Sequence, residues 1–405
     1  MTEAVTDSIT RPTTEEATPN RSVGSRPRVL QVLPALETGG VARGAIDVAA
    51  ALAQAGGTSL VASAGGPLVY NLEKIGLRHI TLPLNSKNPF VMHRNAGELT
   101  SLIYDNNINI VHARSRAPAW STLYAARRAG AHFVTTYHGT YNGGSGLKKL
   151  YNSVMTRGAR IIAISDFIAG HVQDTYRVEA PRLVTIPRGI DTENFDPANV
   201  SAERVIQLVN AWRLPDGVPV VMLPGRLTRW KGQAVLIKAM ARMERRDLCC
   251  VLVGSDQGRT RYRSELEKLT SSLGLGEFVR IVDHCRDMAA AYMLADVVVS
   301  ASTDPEAFGR VTAEAQAMGR PVVATEHGAS RETIVPDHTG WLVPPNNPDA
   351  LARALEVALD IDAPTRQALA DQARHHVVEN LTVELMCERT LAVYESIVGN
   401  TPSVA

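Results

Sequence analysis

The chain alternates short apolar runs with helical stretches, and this pattern constrains its fold more than any other feature of the sequence. The first series of apolar runs comprises residues 29–33, 59–62, 108–112, 132–136 and 161–164. The second series comprises residues 218–223, 249–253, 279–282, 297–300 and 321–324. Short continuous apolar runs between helices are typical of buried parallel strands. We therefore predict an α/β protein with two Rossmann-like, doubly wound domains that face each other across a cleft, with ligands at the carboxyl ends of the strands.

Interruptions of this pattern predict where the domains begin and end. Residues 1–27 are rich in Thr, Glu, Pro and Ser with almost no apolar periodicity, so we expect a disordered leader. An N-terminal domain is predicted over residues 28–190 and a C-terminal domain over residues 191–382, because Pro and Gly punctuate the junction. A helix that starts at residue 383 is expected to return to the N-terminal domain, followed by a short tail that ends at residue 405.

Overall charge and cysteine content exclude several classes of protein. The chain of 405 residues carries 42 Lys or Arg and 41 Asp or Glu, a net charge of +1, which does not suit a nucleic-acid partner. Its four cysteines have the spacing of neither a disulfide framework nor a zinc site. No apolar stretch reaches the roughly 18 residues of a spanning helix, and no signal peptide is recognisable. We expect a cytoplasmic protein without a bound metal.

Positive charge is concentrated in the first half of the chain. Residues 28–190 contain 17 Lys or Arg against 8 Asp or Glu, a net +9, whereas residues 191–405 have a net charge of −7. No acidic residue occurs between Asn106 and Ser165, where the basic residues are Arg114, Arg116, Arg127, Arg128, Lys148, Lys149, Arg157 and Arg160. This segment is either a docking surface for an anionic partner or a solvated basic surface.

Two carboxylates eight residues apart form the strongest candidate site. Glu306 lies in a loop, and Glu314 follows two turns into a helical pattern, so both can face one ligand. The amides of Phe308, Gly309 and Arg310 start that helix and are free to bind an anion. A sugar attached to a phosphate offers hydroxyls and an anion together. The alternative is that Glu306 caps the helix and Glu314 is a surface residue.

A pair of cations follows the first apolar run of the second series. Arg226 and Lys231 lie in a glycine-bounded loop between residues 218–223 and a predicted helix that begins at Gln233. A guanidinium and an ammonium group together can neutralise a diphosphate without a metal. The alternative is that both are ordinary surface residues.

Further candidates follow the apolar runs of the first series. Gly39 and Gly40 begin a helix, but their spacing is not the G-x-G-x-x-G fingerprint, which counts against an NAD enzyme. His138 and His112 each follow a predicted strand and are directed toward the predicted cleft, although such a histidine is often structural. Asp362 belongs to a D-x-D sequence that resembles a metal motif, but we interpret it as a helix cap.

Together these motifs resemble the retaining nucleotide-sugar glycosyltransferases of the GT-B fold, family four, from Arg28 to about Val398. The resemblance implies that Glu306 and the amides that follow it hold the donor sugar, and that Glu314 holds the ribose. It implies further roles, with Arg226 and Lys231 on the diphosphate, Gly39 and Gly40 at the distal phosphate, His138 at the donor sugar, and Cys285 and Arg286 near the base. Ser165 is similar to the serine that follows the last strand of the family's first domain.

For function, the resemblance implies transfer of a hexosyl unit from a nucleotide-diphosphate sugar to a hydroxyl of a glycan or glycolipid acceptor. Retention of anomeric configuration and independence of metals and other cofactors are implied as well. The acceptor is expected near Arg114, Arg116, Lys148 and Lys149, with peripheral contact to the inner face of the cytoplasmic membrane. Bacterial surface polysaccharide or lipopolysaccharide synthesis is the expected role. The alternatives are a nucleotide-sugar epimerase and a noncatalytic nucleotide-sugar-binding protein.

Overall fold

The computed structural model describes residues 26–37, 39–141 and 146–399. Residues 1–25 of the predicted leader and residues 400–405 of the predicted tail lie outside these described residues. Within them, the alternating apolar runs form two parallel sheets, each accompanied by helices. The predicted fold class, two Rossmann-like doubly wound units, is confirmed.

Among the described residues, seven strands form the first sheet, in the order β3-β2-β1-β4-β5-β6-β7, with parallel neighbours. They are β1 (Arg28–Val32), β2 (Thr58–Ser63), β3 (Arg78–Thr81), β4 (Ile110–Ala113), β5 (His132–Tyr137), β6 (Arg160–Ala163) and β7 (Leu183–Thr185). The helices are α1 (Gly40–Gln54), α2 (Val69–Lys74), α3 (Pro89–Asp105), α4 (Arg116–Ala129), α5 (Gly146–Asn152) and α6 (Asp166–Tyr176). The strand order reverses between β1 and β4, which places a ligand crevice at their carboxyl ends.

The second sheet has six parallel strands in the described part of the chain, in the order β10-β9-β8-β11-β12-β13. They are β8 (Val220–Pro224), β9 (Cys249–Val253), β10 (Val279–Val282), β11 (Val297–Ser300), β12 (Val322–Thr325) and β13 (Trp341–Val343). The helices are α7 (Ala202–Trp212), α8 (Gln233–Arg242), α9 (Thr260–Ser272), α10 (Met288–Leu294), α11 (Arg310–Ala317), α12 (Ser330–Thr333), α13 (Pro348–Asp360), α14 (Ala363–Asn380) and α15 (Val383–Gly399). Here the order reverses between β8 and β11.

Three strands were not predicted from the sequence, and all three lie at sheet edges. β3 and β7 are the two edge strands of the first sheet, and β13 is an edge strand of the second. Each has three or four residues, and most of those residues are partly exposed. An edge strand is covered less completely than a central one, so its sequence lacks the continuous apolar run used for the prediction.

Central strands form the core of each half. In β1, Val29, Leu30 and Val32 are fully buried, as expected for a strand covered by helices on both faces. Burial of such a side chain is worth roughly 1.5–3 kcal/mol relative to exposure. Because the central strands are mostly apolar, we expect the polar side chains that act on a ligand in the loops at the strand ends.

The chain crosses between the two halves twice, and the two crossings are hydrogen-bonded to each other. The amide of Ile190 donates to the carbonyl of Leu381 at 2.7 Å, and the amide of Val383 donates to the carbonyl of Ile190 at 3.1 Å. Helix α15 then packs on α1, where Leu52 and Tyr394 belong to one apolar cluster. As a result, the last helix lies on the first half, although it follows the second half in the chain.

Candidate active site

The loop after β8 brings Lys231 to Glu306. It ends at Gly232, which has a left-handed φ of +72°, and a Cβ at this position would overlap the carbonyl oxygen of Ala301. Glycine is required here because a side chain would collide with the backbone that follows β11. This close approach places the ammonium group of Lys231 in an ion pair with the carboxylate of Glu306.

Glu306 lies in the loop after β11, and 11% of its side chain is exposed. Its Oε1 accepts a hydrogen bond from the hydroxyl of Ser302 at 2.6 Å as well as the bond from Lys231. Its main-chain carbonyl accepts from the amide of Ala329 at 2.9 Å. Since Gly309 is the residue that caps α11, the alternative role of Glu306 as a helix cap is wrong. The carboxylate is oriented by two donors, as a ligand-binding group requires.

Glu314 lies on α11, and 10% of its side chain is exposed. Its Oε2 accepts from the hydroxyl of Tyr292 at 2.9 Å, and its Oε1 accepts from the guanidinium of Arg310 at 2.5 Å. The alternative interpretation of Glu314 as a surface residue is therefore wrong. A ligand hydroxyl at this carboxylate would share it with Tyr292 and Arg310.

Backbone donors lie between these two carboxylates. The amides of Phe308, Gly309 and Arg310 donate no hydrogen bond to any other described residue, as expected at the start of a helix. The Phe308 side chain is 4% exposed, so it would contact a ligand through its backbone. Free amides at a helix N-terminus are suited to the oxygen atoms of an anion.

Arg226 differs from its loop neighbour Lys231. Its side chain is exposed and has no hydrogen bond or ion pair with the rest of the described chain. Its carbonyl accepts from the side-chain amide of Gln233 at 2.9 Å, which fixes the backbone of the loop. The guanidinium is thus free to reach a ligand that enters the crevice.

On the first half, His138 follows β5 and lies near the cations Arg188 and Arg114. Both of its ring nitrogens are buried without a partner among the described residues. Burial lowers the pKa of His138 well below its ordinary value, and the neighbouring Arg188 and Arg114 lower it further. The imidazole is neutral at physiological pH and can either donate or accept a proton in a hydrogen bond.

Arg188 is a site residue that the sequence analysis missed. It follows β7 in the segment that was interpreted only as a crossing, and its guanidinium lies 2.5 Å from where a Cβ of Gly40 would be. Burial, with Arg310 and Arg114 nearby, lowers its pKa to about 9, so it stays cationic at neutral pH. The sequence carried no clear signal for Arg188, because β7, the strand that precedes it, is a short edge strand without a continuous apolar run.

Gly39 and Gly40 are placed as predicted at the start of α1. Gly39 is the N-cap residue, and Gly40 is the first residue of the helix. The loop before them includes residue 38, which lies outside the described residues. Arg188 packs against Gly40, so a phosphate at these amides would also meet a guanidinium.

The basic segment does not form one surface patch, which corrects the expectation from the sequence. Arg114 is buried, 4% exposed, and its Nε donates to the side chain of Gln31 at 2.7 Å. It directly follows the central strand β4, which explains its burial. Arg127 and Arg128 lie at the carboxyl end of α4, far along the helix from Arg116, which begins it.

Three of the acceptor-side candidates remain accessible. Arg116 is half-buried, donates to Asn152 at 3.0 Å and lies 4.1 Å above the ring of Tyr141. Lys148 and Lys149 are exposed on α5. These three residues follow β4 or β5, at the same carboxyl edge as His138.

The residues expected near the base are placed differently from one another. Cys285 is 7% exposed, and its thiol donates to the carbonyl of Asp287 at 3.3 Å. Its side chain therefore packs inward, so Cys285 would meet a base through its backbone, and its predicted position near the base stays a prediction. Arg286 is exposed in the same loop.

Helix α6 connects the two halves, a feature that the sequence analysis only partly foresaw. Ser165 caps this helix and donates its hydroxyl to the carbonyl of Ala307 at 2.7 Å. The amides of Asp166 and Phe167 both donate to the carboxylate of Glu332 at 2.7 Å. Burial raises the pKa of Glu332, while these two amides lower it. No sequence signal predicted Glu332, because it pairs with backbone from another domain.

Two further predictions are settled by hydrogen bonds. His112 is fully buried, and its ring nitrogens bond the hydroxyls of Tyr394 at 2.6 Å and Thr136 at 2.7 Å. It is structural and does not face the cleft. Asp362 caps α14 through the amide of Thr365 at 2.9 Å, which confirms its interpretation as a cap.

Residues 26–37, 39–141 and 146–399 contain neither a metal-ligand cluster nor a spanning helix. No three His, Cys, Asp or Glu side chains in these ranges are grouped as a metal site would require. No helix in the same ranges is both long and apolar enough to cross a membrane.

Two protein-family models match the chain, one in each half. The model described as Glycosyltransferase Family 4 matches residues 38–194, and the model described as Glycosyl transferases group 1 matches residues 207–376. A glycosyltransferase structure from Rickettsia africae ESF-5 is 38% identical, with a TM-score of 0.86, and the match covers 93% of this chain and 100% of that one.

More distant relatives share the fold or part of the sequence. The Anabaena protein HepE, solved in complex with UDP and glucose, is 22% identical, with a TM-score of 0.80 over 91% of this chain and all of that one. D-inositol 3-phosphate glycosyltransferases from Jonesia denitrificans and Corynebacterium diphtheriae are 30% and 34% identical over 60% and 54% of this chain. The matches cover 58% and 52% of those proteins, so the chain spans about half the length of the curated relatives it matches.

Proposed function

The chain belongs to the group 1 glycosyltransferases of the family 4 type with the GT-B fold, and we propose that it transfers a hexosyl unit from a nucleotide-diphosphate sugar to an acceptor hydroxyl. The observation that carries this proposal is the ion pair of Lys231 with Glu306, beside the unpaired guanidinium of Arg226. The pair places a carboxylate for sugar hydroxyls next to cations for a diphosphate.

The proposed roles follow from these positions. Arg226 and Lys231 stabilise the negative charge that develops on the leaving diphosphate, which lowers the barrier more than ground-state binding alone would. Glu306 and the amides after it bind the transferred sugar, and Glu314 binds the ribose. His138 faces that sugar from the first half, with Gly39 and Gly40 at the distal phosphate.

In the proposed reaction, the bond between the anomeric carbon and the diphosphate oxygen breaks as the acceptor oxygen attacks from the same face. Because attack and departure occur on the same face, the anomeric configuration is retained without a protein nucleophile. The departing diphosphate takes the acceptor proton. Metal independence is part of this proposal, because Arg226 and Lys231 supply the charge. Turnover that persists in excess EDTA would support it, and turnover restored only by a divalent cation would contradict it.

UDP-glucose is the first donor to test. The supporting observation is that HepE, which shares the fold, was solved with UDP and with UDP-glucose. GDP, ADP and CMP sugars complete the panel, because the loop with Cys285 and Arg286 does not identify the base. A ligand that binds the folded state raises the melting temperature, so thermal shifts rank the donors.

For the acceptor, we propose a glycan or glycolipid of bacterial surface polysaccharide or lipopolysaccharide synthesis, reached at the inner face of the cytoplasmic membrane. Helix α5 supports this proposal, since Leu147 is 81% exposed and Leu150 is 57% exposed beside the exposed Lys148 and Lys149. Apolar and basic side chains on one short helix are suited to an anionic membrane surface.

A second candidate acceptor is an inositol phosphate. It is favoured by the names of the curated relatives, D-inositol 3-phosphate glycosyltransferases. Flotation with anionic vesicles separates the two candidates. Binding at low salt that is lost in a Lys148→Glu, Lys149→Glu double variant supports the membrane-bound acceptor, and absence of binding at low and high salt removes it.

Release of nucleoside diphosphate from the preferred donor tests the central proposal. Glu306→Gln should reduce acceptor-dependent release at least 100-fold, the order found when one preorganised group is removed. The matched control is Asp304→Asn, because Asp304 is exposed in the same loop. Equal rates in both variants would contradict the assignment of Glu306.

The same assay separates the rival functions. An epimerase would convert the nucleotide sugar without any acceptor. A noncatalytic binding protein would bind the donor but release no diphosphate with any acceptor offered. Either result would overturn glycosyl transfer as the function.

A further inference from the structure

A small cavity in the first half is lined by two arginines and a histidine with unpartnered nitrogen atoms. It lies at the carboxyl ends of β4, β5 and β7, between α1 and α15. Its polar lining comes from Arg114, Thr136, His138, Arg188 and Thr390, and the rest of the lining is largely apolar. Two buried cations at one cavity require a counter-charge.

Four side-chain nitrogen atoms at this cavity lack partners in the described part of the chain. Nη2 of Arg114, Nη2 of Arg188 and both ring nitrogens of His138 are buried and form no hydrogen bond there. Arg114 is 4% exposed, so water cannot solvate it freely. Buried polar groups are almost always hydrogen-bonded, so four unpartnered nitrogen atoms around one cavity indicate a ligand.

The charges of the residues around the cavity indicate which class of ligand it binds. Arginine side chains stay protonated in proteins, so Arg114 and Arg188 are cations, whereas burial holds the pKa of His138 well below its ordinary value. Asp47 is the nearby carboxylate and interacts electrostatically with both arginines, but it makes no hydrogen bond or salt bridge of contact distance with either. The two arginines outnumber this carboxylate, and their unpartnered nitrogen atoms need several acceptor oxygens, which a phosphate group offers in a geometry that suits guanidinium groups.

We propose that this cavity binds a phosphate group, held by Arg114 and Arg188, with His138 as a neutral hydrogen-bonding partner. The phosphate would enter this small cavity, and an attached sugar ring would remain outside it. Two sources share this chemistry, free phosphate and a phosphorylated sugar. The second source rests on the proposed function, because such a sugar would be a substrate of the transfer.

Thermal unfolding of the full chain in phosphate-free buffer tests the proposal. Inorganic phosphate, glucose 6-phosphate and uncharged glucose are titrated separately into the wild type and two variants, Arg114→Met and Arg188→Met. The matched control is Arg128→Met, because Arg128 is exposed on α4. Lys231→Ala is included to remove phosphate binding at the proposed diphosphate site.

We expect phosphate to raise the melting temperature of the wild type, Arg128→Met and Lys231→Ala, with glucose inert. Arg188→Met should bind phosphate at least tenfold more weakly. It should also melt no lower than the wild type without phosphate, because an unpaired buried charge has been removed. A tighter response to glucose 6-phosphate than to inorganic phosphate identifies the sugar ester as the source, and the reverse identifies free phosphate.

Three outcomes would overturn the proposal. Equal phosphate shifts in all variants indicate a nonspecific salt effect, and loss of the shift in Lys231→Ala alone assigns the anion to the diphosphate site. If Arg114→Met fails to fold, Arg188→Met carries the test, with calorimetry as the second measurement. Donor binding in the same proteins is scored separately, so a chain that binds UDP-glucose but ignores phosphate refutes this inference and leaves the proposed function intact.

Discussion

At the edge of the second sheet, Lys231 and Glu306 are bonded to each other, and Glu314 has a partner for each oxygen. At the facing edge of the first sheet, Arg114 and Arg188 each keep a buried nitrogen without a partner. The two regions lie at equivalent places, the carboxyl ends of parallel strands. They differ in whether the folded chain itself satisfies its polar groups.

The two sites therefore differ in how they are prepared to bind a ligand. Groups that already bond one another are held in position before a ligand arrives, so little reorganisation is needed at the moment of reaction. Unpartnered buried groups destabilise the folded chain until a ligand supplies the missing partner. We therefore expect variants at the second edge to lose activity, and variants at the first edge to change stability and its dependence on pH or anions.

The largest expected effect comes from breaking the bonded edge. Lys231→Ala removes the cation that orients Glu306 and faces the leaving diphosphate. Turnover should fall about 10²-fold or more, as for other preorganised electrostatic groups. The measurement is diphosphate release under saturating donor, with Lys238→Ala, an exposed position on α8, as the control. A variant with at least a third of wild-type turnover would show that Lys231 has no such role.

The second prediction concerns Asp47, the carboxylate of the unpartnered edge. Burial raises its pKa from 3.8 to about 6, and Asp191 adds to the rise, while Arg114, Arg43 and Arg310 oppose it. The native state therefore binds a proton that the unfolded chain has released between about pH 4 and pH 6. Over this range, rising pH removes stability, by about 3 kcal/mol for a shift of this size.

Asp47→Asn should abolish that component. Urea unfolding of wild type and variant across pH 3.5–7 gives the difference in the free energy of unfolding, which cancels the contributions of other carboxylates. The free energy of unfolding of the wild type should fall relative to that of the variant as pH rises from about 4 to 6. Asp105→Asn, exposed on α3, is the control. A difference that does not change with pH would contradict the burial of Asp47 as its cause.

The third prediction concerns the hydrogen bond between Tyr292 and Glu314. Tyr292→Phe removes the buried hydroxyl that donates to Glu314 and leaves that carboxylate oxygen without its partner. The free energy of unfolding should fall by about 1–3 kcal/mol. Tyr124→Phe, at an exposed position on α4, should be nearly neutral. Denaturant unfolding of both variants decides the matter, and equal effects would show that the hydrogen bond adds nothing to stability.

The smallest expected effect is at the contact between the two edges. Ser165→Ala removes both the cap of α6 and the hydrogen bond to the carbonyl of Ala307. We expect a loss of about 1 kcal/mol, typical of a helix cap. Ser201→Ala is the matched control, because Ser201 occupies the N-cap of α7 without capping any amide. If the control loses as much stability as Ser165→Ala, the contact between the edges is not responsible.

Much of the site at the second sheet was predictable from the sequence, and less of the site at the first sheet. Glu306, Lys231 and Gly232 belong to short segments with turn and charge signals around buried strands, so local sequence located them. Arg114 was assigned to a surface patch, because a charge run carries no information on which residues point inward. Arg188 and Glu332 gave no motif, since their partners come from remote parts of the chain.

Local sequence was enough to predict two doubly wound parallel sheets and the loops with polar residues at their strand ends, because apolar runs and glycines act over a few neighbouring residues. Only the tertiary structure decided which of the charged groups are paired. Lys231 meets Glu306, 75 residues later in the chain, while Arg114 and Arg188 meet at a cavity without a carboxylate bonded to either. Burial and pairing depend on contacts between distant segments, and those contacts exist only after the chain has folded.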